Sequence, residues 1–324
     1  MTDTEEQLYI VSSSPHAHSG DSVRRIMLDV IIALLPACAA AVFFFRIDAA
    51  RLIATCVAAC VATEWLCRKA MGRDSGITDL SAVVTGILLA LNLPPSLPTW
   101  MAVVGSIVAI AIAKQLFGGI GYNPFNPALV GRAALLISFT GPMTTWSNPA
   151  TLTAATTAAT PLRLLRRYGV YDFTPTMATN AFLGNIGGSL GEASVLALLI
   201  GAAWLLWRRW ISWHIPVFYV GTVALFALAL WLIDPQQNMP PHFHVLTGGL
   251  MLGALFMATD MVTSPVTKPG MAIFGVGCGI LTMVIRRWGG YPEGTSFAIL
   301  IMNAFTPLIN RATRPRVFGK KRSA

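Results

Sequence analysis

The chain has 324 residues, 55% hydrophobic and 11% charged, with a mean hydropathy of +0.64. A soluble domain carries about 25% charged residues, so one aqueous core is excluded and a bilayer is the expected solvent. Lysine and arginine number 23 against 14 acids, a formal charge of +9; with no nucleic-acid fold motif beside it, this excess belongs to loops at a membrane face and nucleic acid is excluded as a partner.

The chain starts MTDTEEQLYIVSSSPHAHSGDS, acidic and polar, without the basic start and short apolar core of a cleavable signal. Residues 1–25 read as a cytoplasmic leader. A membrane helix needs about 20 apolar residues. Ten candidate spans follow, near 26–45, 50–67, 77–92, 99–117, 126–140, 192–207, 214–233, 245–260, 270–287 and 294–310. The fold class is therefore an all-α integral membrane protein. Cys38, Cys56, Cys60, Cys67 and Cys278 lie in or beside these runs, and none forms a CxxC. Cys56 and Cys60 share a helix face, as packing residues of a membrane helix do; a ligand role is the alternative.

Lysine and arginine set the direction. With the N-terminus inside, the cytoplasmic face receives Arg24, Arg25, Arg68, Lys69, Arg73, Lys114, Arg208, Arg209, Lys268 and the basic tail, residues 311–324. The outer face receives Arg46, Arg51, Arg163, Arg166, Arg167, Arg286 and Arg287, of which the pair Arg286–Arg287 fits the rule poorly.

An internal repeat addresses that pair. GILLALNLPPSLPTW…AKQLFGGIGYNP starts at Gly86, and GALFMATDMVTSPVTKPG…VIRRWGGYPEG starts at Gly253. Each has an apolar half-span, a polar residue (Asn92, Asp260), a proline-containing break, a long apolar helix, and a basic residue before Gly-Gly and Tyr. Two five-span halves, 26–140 and 192–310, would be inverted in the membrane, so equivalent basic residues fall on opposite faces. Inverted repeats with broken helices are a transporter-like architecture with a site near the midplane. Segments 92–98 and 260–269 then have to be buried in protein or line a cavity. Asp29, Glu64 and Asp79 are expected at the interface. Asp260 and Asn92, beside the breaks, are candidates for an ion path.

Residues 141–191 form a long loop on the outer side. It holds TAATTAATPL from Thr153, then Arg163, Arg166, Arg167, Tyr168 and Tyr171. It ends in NAFLGNIGGSLGE, whose Gly187, Gly188 and Ser189 precede a helix. Glycines before a helix suit an anion such as phosphate, and so do arginines. A solvated surface loop is the bland alternative.

Thr157-Ala-Ala-Thr160 resembles the S/T-G-A-T motif of membrane subunits that carry FMN through a phosphoester to the last threonine. The surroundings resemble one family, the D subunit of the Rnf electron-transport complex, similar to the B subunit of the sodium-pumping quinone reductase. SSPHAHSGDSVRRIMLDVIIALLPA, YNPFNPALVGRAAL, FLGNIGGSLGEAS, ATDMVTSPVTKPGMAIFGVGCG and YPEGTSFAILIMNAFTPLINR carry the likeness over nearly the whole chain. The resemblance implies covalent FMN at Thr160, attached by a flavin transferase. It also implies a second, non-covalent flavin such as riboflavin, and partner subunits with flavins and iron–sulfur clusters. The complex would pass electrons between ferredoxin and NAD, coupled to Na⁺ or H⁺ movement, in the bacterial inner membrane. Ala158 stands where the motif usually has glycine, and no acid lies in 148–157. Thr157, Arg163 and Arg166 are expected near the flavin phosphate. A stand-alone solute transporter and a non-redox scaffold are the rivals.

Overall fold

The computed structural model describes residues 21–73, 76–146, 175–184, 187–192, 194–235, 238–290 and 293–315. Among these, every regular element is helical. Helix α1 runs Val23–Ala70, 48 residues. It is divided by Arg46 (φ 50°, ψ −127°), so the two spans expected here form one run with a sharp kink. Its two sides, 23–45 and 47–70, each measure about 35 Å at 1.5 Å per residue, enough to cross a hydrocarbon core. Ser22 caps it, its Oγ accepting from Arg25 N at 3.3 Å.

The rest of the first half is α2 (Ser81–Leu91), α3 (Thr99–Ile107, continuing as a π-helix over Val108–Gln115) and α4 (Pro127–Ser138). Short helices α5 (Thr140–Met143) and α6 (Pro175–Leu183) follow. The second half holds α7 (Val195–Trp207), α8 (His214–Ile233) and the short α9 (Pro241–Leu246). Then come α10 (Leu250–Leu252, continuing as a π-helix over Gly253–Met257), α11 (Lys268–Trp288) and α12 (Thr295–Ala312). By length and apolarity α1, α8 and α11 are long enough to cross a membrane; α2, α3 with its π segment, α4 and α7 are apolar but shorter. The chain is thus a helical membrane protein.

Two expected spans are shorter than their apolar runs. Residues 76–79 form a 3-10 turn, and α2 begins only after Leu80, whose φ is 62°. The run near 245–260 is divided between α9 and α10, with Gly248 and Gly249 at positive φ between them. Both α2 and α10 with its π segment are therefore half-helices, each ending at a break.

The halves pack through small residues. A β-carbon on Gly201 of α7 would lie 1.9 Å from Ala33 O of α1, so only glycine permits this crossing. One continuous buried cluster reaches from Leu34 and Leu52 through Leu89 and Leu129 to Tyr219, Phe256 and Phe274. Cys56 belongs to it, and Cys60 packs with Ala82 and Ile110 in a smaller cluster.

The breaks keep their backbone groups satisfied, as a membrane interior requires. In 92–98, Leu93 and Leu97 are buried, and Arg51 Nη2 donates to Pro95 O at 3.4 Å and Leu97 O at 3.2 Å. In 260–269, Thr306 Oγ1 donates to Thr263 O at 2.9 Å, and Val266 N donates to Asn310 Oδ1 at 3.1 Å.

Candidate functional site

A cavity of about 120 Å³ lies where α1, α2, α4, the π segment after α10 and the turn after α7 converge. One wall is apolar: Met27, Val30, Leu88, Leu205, Trp210 and Phe256. Polar groups come from Ser81 and Thr85 of α2, Lys114, Asn123, Asn126, Thr259 and Asp260. An apolar lining with a few convergent polar groups is common to small-molecule sites.

The elements around the cavity explain its polar rim. Asn126 caps α4, its Oδ1 accepting from Ala128 N at 3.1 Å and Leu129 N at 3.4 Å. Its Nδ2 donates to Met257 O at 3.3 Å, taking a carbonyl that the second break frees. Asp260 holds the turn after that break. Its Oδ1 accepts from Val262 N at 3.4 Å and its Oδ2 from Thr263 Oγ1 at 3.0 Å.

Beside the cavity sits a buried ion pair. Lys114 Nζ donates to both oxygens of Glu64 at 2.9 Å and to Ser81 Oγ, the first residue of α2, at 2.5 Å. Gln115 Nε2 adds a bond to Glu64 at 2.7 Å, and Arg68 lies 3.4 Å from the same carboxylate. Glu64 is 0% exposed and Lys114 2%. Glu64 and Lys114, which the sequence places at the ends of their spans, are thus held inside the protein as a pair. Asp29, likewise expected at the interface, is buried against Arg208 and Trp210. These acids pair inside the protein because an unpaired buried charge is costly.

A second buried cluster surrounds the first break. Arg132 Nη1 donates to Asn92 Oδ1 at 2.6 Å, and Arg132 Nη2 pairs closely with Glu293 Oε2. Asn92 Nδ2 turns back to Leu88 O at 2.7 Å. Glu192 Oε1 and Arg132 Nη1 flank Gly249, 3.5 and 3.9 Å from where its β-carbon would stand. Arg286 donates to His244 O at 2.6 Å, Thr247 O at 3.0 Å and Gly248 O at 3.1 Å, which fixes the backbone that leads into α10. Arg286 is 5% exposed, so its charge is held inside the protein.

The sequence-derived site residues fall in separate places. Thr157, Thr160, Arg163 and Arg166 lie outside the described residues. Gly187, Gly188 and Ser189 are buried; Ser189 Oγ donates to Glu192 Oε1 at 2.9 Å, so their charged neighbour is a carboxylate. Asn92 belongs to the Arg132 cluster and Asp260 to the cavity, so these two are not brought together. The long loop returns to the first break at both ends. Ser96 Oγ donates to Thr145 O at 3.2 Å, and Leu190 N donates to Leu93 O at 3.1 Å. Gly191 packs so tightly that a β-carbon would lie 2.8 Å from Leu91 O.

Sequence reasoning missed Arg132, Glu192, Asn123 and Asn126. An arginine inside the apolar run NPALVGRAAL was a signal for the first. Asn126 before Pro127 and an apolar run was a helix-start signal, and nothing local marked Glu192 or Asn123.

A family model described as the NQR2, RnfD, RnfE family matches residues 10–319. The chain is 48% identical over 309 residues to the D subunit of the Na(+)-translocating ferredoxin:NAD(+) oxidoreductase complex of Acetobacterium woodii, covering 95% of each chain. It is 44% identical over 325 residues to the D subunit of the proton-translocating ferredoxin:NAD(+) oxidoreductase complex of Clostridium ljungdahlii, covering 98% of each. The D subunit of the ion-translocating oxidoreductase complex of Stutzerimonas stutzeri is 44% identical over 328 residues, with 92% of this chain and 93% of that one covered. The chain belongs to the NQR2, RnfD, RnfE family, among its RnfD-type members.

Proposed function

We propose that this chain is the membrane electron-transfer subunit of an ion-translocating ferredoxin:NAD oxidoreductase complex. The observation that carries this reading is near-full-length identity of 44% or more to the corresponding subunits of such complexes from three organisms. In this reading the chain works with membrane and peripheral subunits that bear flavins and iron–sulfur clusters. It lies in the bacterial inner membrane with both termini cytoplasmic, as two inverted five-helix halves. The repeated order of long helices, half-helix, break and long helix supports that arrangement.

Thr160 is the proposed attachment point for FMN. A phosphoester needs a hydroxyl nucleophile, and Thr160 supplies one between Ala159 and Pro161. Small neighbours leave room for a transferase and then for a ring. A bound flavin supplies reversible one- and two-electron chemistry, while the protein supplies position and electrostatics. The 120 Å³ cavity is the proposed place for the edge of a second, non-covalent flavin. Its apolar wall suits the faces of an isoalloxazine, and Asn123, Thr85 and Thr259 offer polar groups to the edge.

A stand-alone transporter is the second reading, favoured by the two half-helices alone. Flavin fluorescence decides. The SDS-denatured wild-type chain is expected to give a fluorescent band, and Thr160→Ala a dark one. A dark wild-type band from cells with an active flavin transferase overturns the covalent-flavin reading and favours the transporter.

A further inference from the structure

Trp210 is placed by an arrangement that its surroundings do not need for packing alone. The turn after α7 passes through Arg209 at φ 59°, a left-handed conformation that residues with a β-carbon avoid. Trp210 N then reaches back to Leu205 O at 3.1 Å. This turn brings the Trp210 ring to the cavity wall. The indole Nε1 donates to Asp29 Oδ2 at 2.7 Å. The same oxygen accepts from Arg208 Nε at 3.1 Å and Nη2 at 2.8 Å. The Arg208 guanidinium also stands 6.0 Å from the Trp210 ring centroid. Three donors thus converge on one oxygen of a carboxylate that is 4% exposed. Asp29 sits on α1 between Met27 and Val30, which line the same cavity.

We propose that Trp210 is an aromatic platform for the planar ligand of this cavity, and that Asp29 and Arg208 are positioning residues that lock its ring. The proposal rests on the reading that the cavity takes a non-covalent flavin. An aromatic wall in an apolar cavity favours offset stacking with a flat heteroaromatic ring. A tether at the indole N–H removes ring freedom before the ligand arrives, which lowers the entropic cost of binding. The tether also joins the first half of the chain, through Asp29, to the second half, through Trp210, beside a cavity that Asn123 and Asn126 also line. Membrane-surface tryptophans commonly anchor at the headgroup level; that role requires neither a buried carboxylate nor a strained turn.

The test uses the purified full-length chain in detergent with Thr160→Ala, so that only a non-covalent flavin emits. Riboflavin is the probe. Its affinity is measured by equilibrium titration and its emission lifetime when bound is recorded. Indole in contact with an excited flavin donates an electron to it and quenches emission. Trp210→Phe is expected to keep riboflavin bound but lengthen its lifetime several-fold. Trp210→Ala is expected to weaken binding about tenfold, from the loss of one stacked ring. Asp29→Ala is expected to lengthen the lifetime although Trp210 is still present, which a merely structural carboxylate would not do. If the parent chain binds no riboflavin, the cavity reading fails and this proposal with it. If the parent binds and neither Trp210→Phe nor Asp29→Ala changes the lifetime, the platform is overturned and the cavity reading stands.

Discussion

Lys114→Met tests whether the start of α2 is held by charge. The substitution keeps an unbranched side chain of similar length and removes the ammonium. Glu64 loses its two 2.9 Å bonds, and Ser81 Oγ loses its 2.5 Å donor. Removing one partner of a buried pair costs about 3–5 kcal/mol. The lower end applies here, because Gln115 at 2.7 Å and Arg68 at 3.4 Å still face Glu64. About 3 kcal/mol then corresponds to a fall of roughly 5 °C in the apparent melting temperature of a chain this size. The assay is thermal unfolding in one detergent at one scan rate, since membrane proteins unfold irreversibly and the midpoint depends on rate. Adding Glu64→Gln to Lys114→Met removes the stranded charge and is expected to return most of the loss, because neighbouring sites couple. A Lys114→Met chain melting within about 1 °C of wild type, or strictly additive losses in the double variant, refutes the reasoning.

Three other outcomes follow from the packing. Gly201→Val should abolish the folded species, because the new side chain meets Ala33 O at 1.9 Å from its first carbon; size-exclusion in detergent reads this as loss of the monodisperse peak. Leu190→Pro removes the N–H that reaches Leu93 O, so the loop loses one of its two ties to the first break. The expected result is a flavin band retained on a denaturing gel while electron transfer slows in the complex; an unchanged rate shows that this tie does not place the loop. Arg132→Leu leaves Glu293 buried without its partner and should lower the apparent melting temperature by several degrees, from a loss of about 3 kcal/mol.

Hydropathy and proline placement made the architecture legible. The two breaks, the half-helices before them and the long helices after them follow from Asn92-Leu-Pro-Pro and Asp260 to Pro269. The buried charges were not legible, because counting lysine and arginine assigns each to a face by its place along the chain. Lys114 and Arg286 close long apolar helices and look like charges for a membrane face, yet both are buried in the protein. Their reasons are distant in sequence: Glu64 is 50 residues from Lys114, and His244 is 42 from Arg286. A single sequence carries no mark of such pairs. The attachment motif around Thr160 is the reverse case, local and readable, while its surroundings lie outside the described residues.

The two half-helices are held by different chemistry, and this gives a last prediction. At the start of α2 the basic side chain meets a carboxylate and a hydroxyl, so charge balance dominates. At the start of α10 Arg286 meets three backbone carbonyls, with no carboxylate in direct contact among the described residues. There the number and direction of donors matter more than charge. Arg286→Lys keeps the charge, but one ammonium cannot span His244 O, Thr247 O and Gly248 O as a planar guanidinium does. It leaves buried carbonyls short of a donor, at about 1–3 kcal/mol each. Lys114→Arg also keeps the charge, yet puts a larger, flat group into a site built around a single nitrogen 2.5–2.9 Å from three oxygens. Both conservative exchanges should therefore destabilise, while Arg286→Gln, which loses the charge but keeps two donors, should be no worse than Arg286→Lys. If Arg286→Gln melts well below Arg286→Lys, charge and not donor geometry holds the second half-helix. The two halves would then share one device despite their different residues.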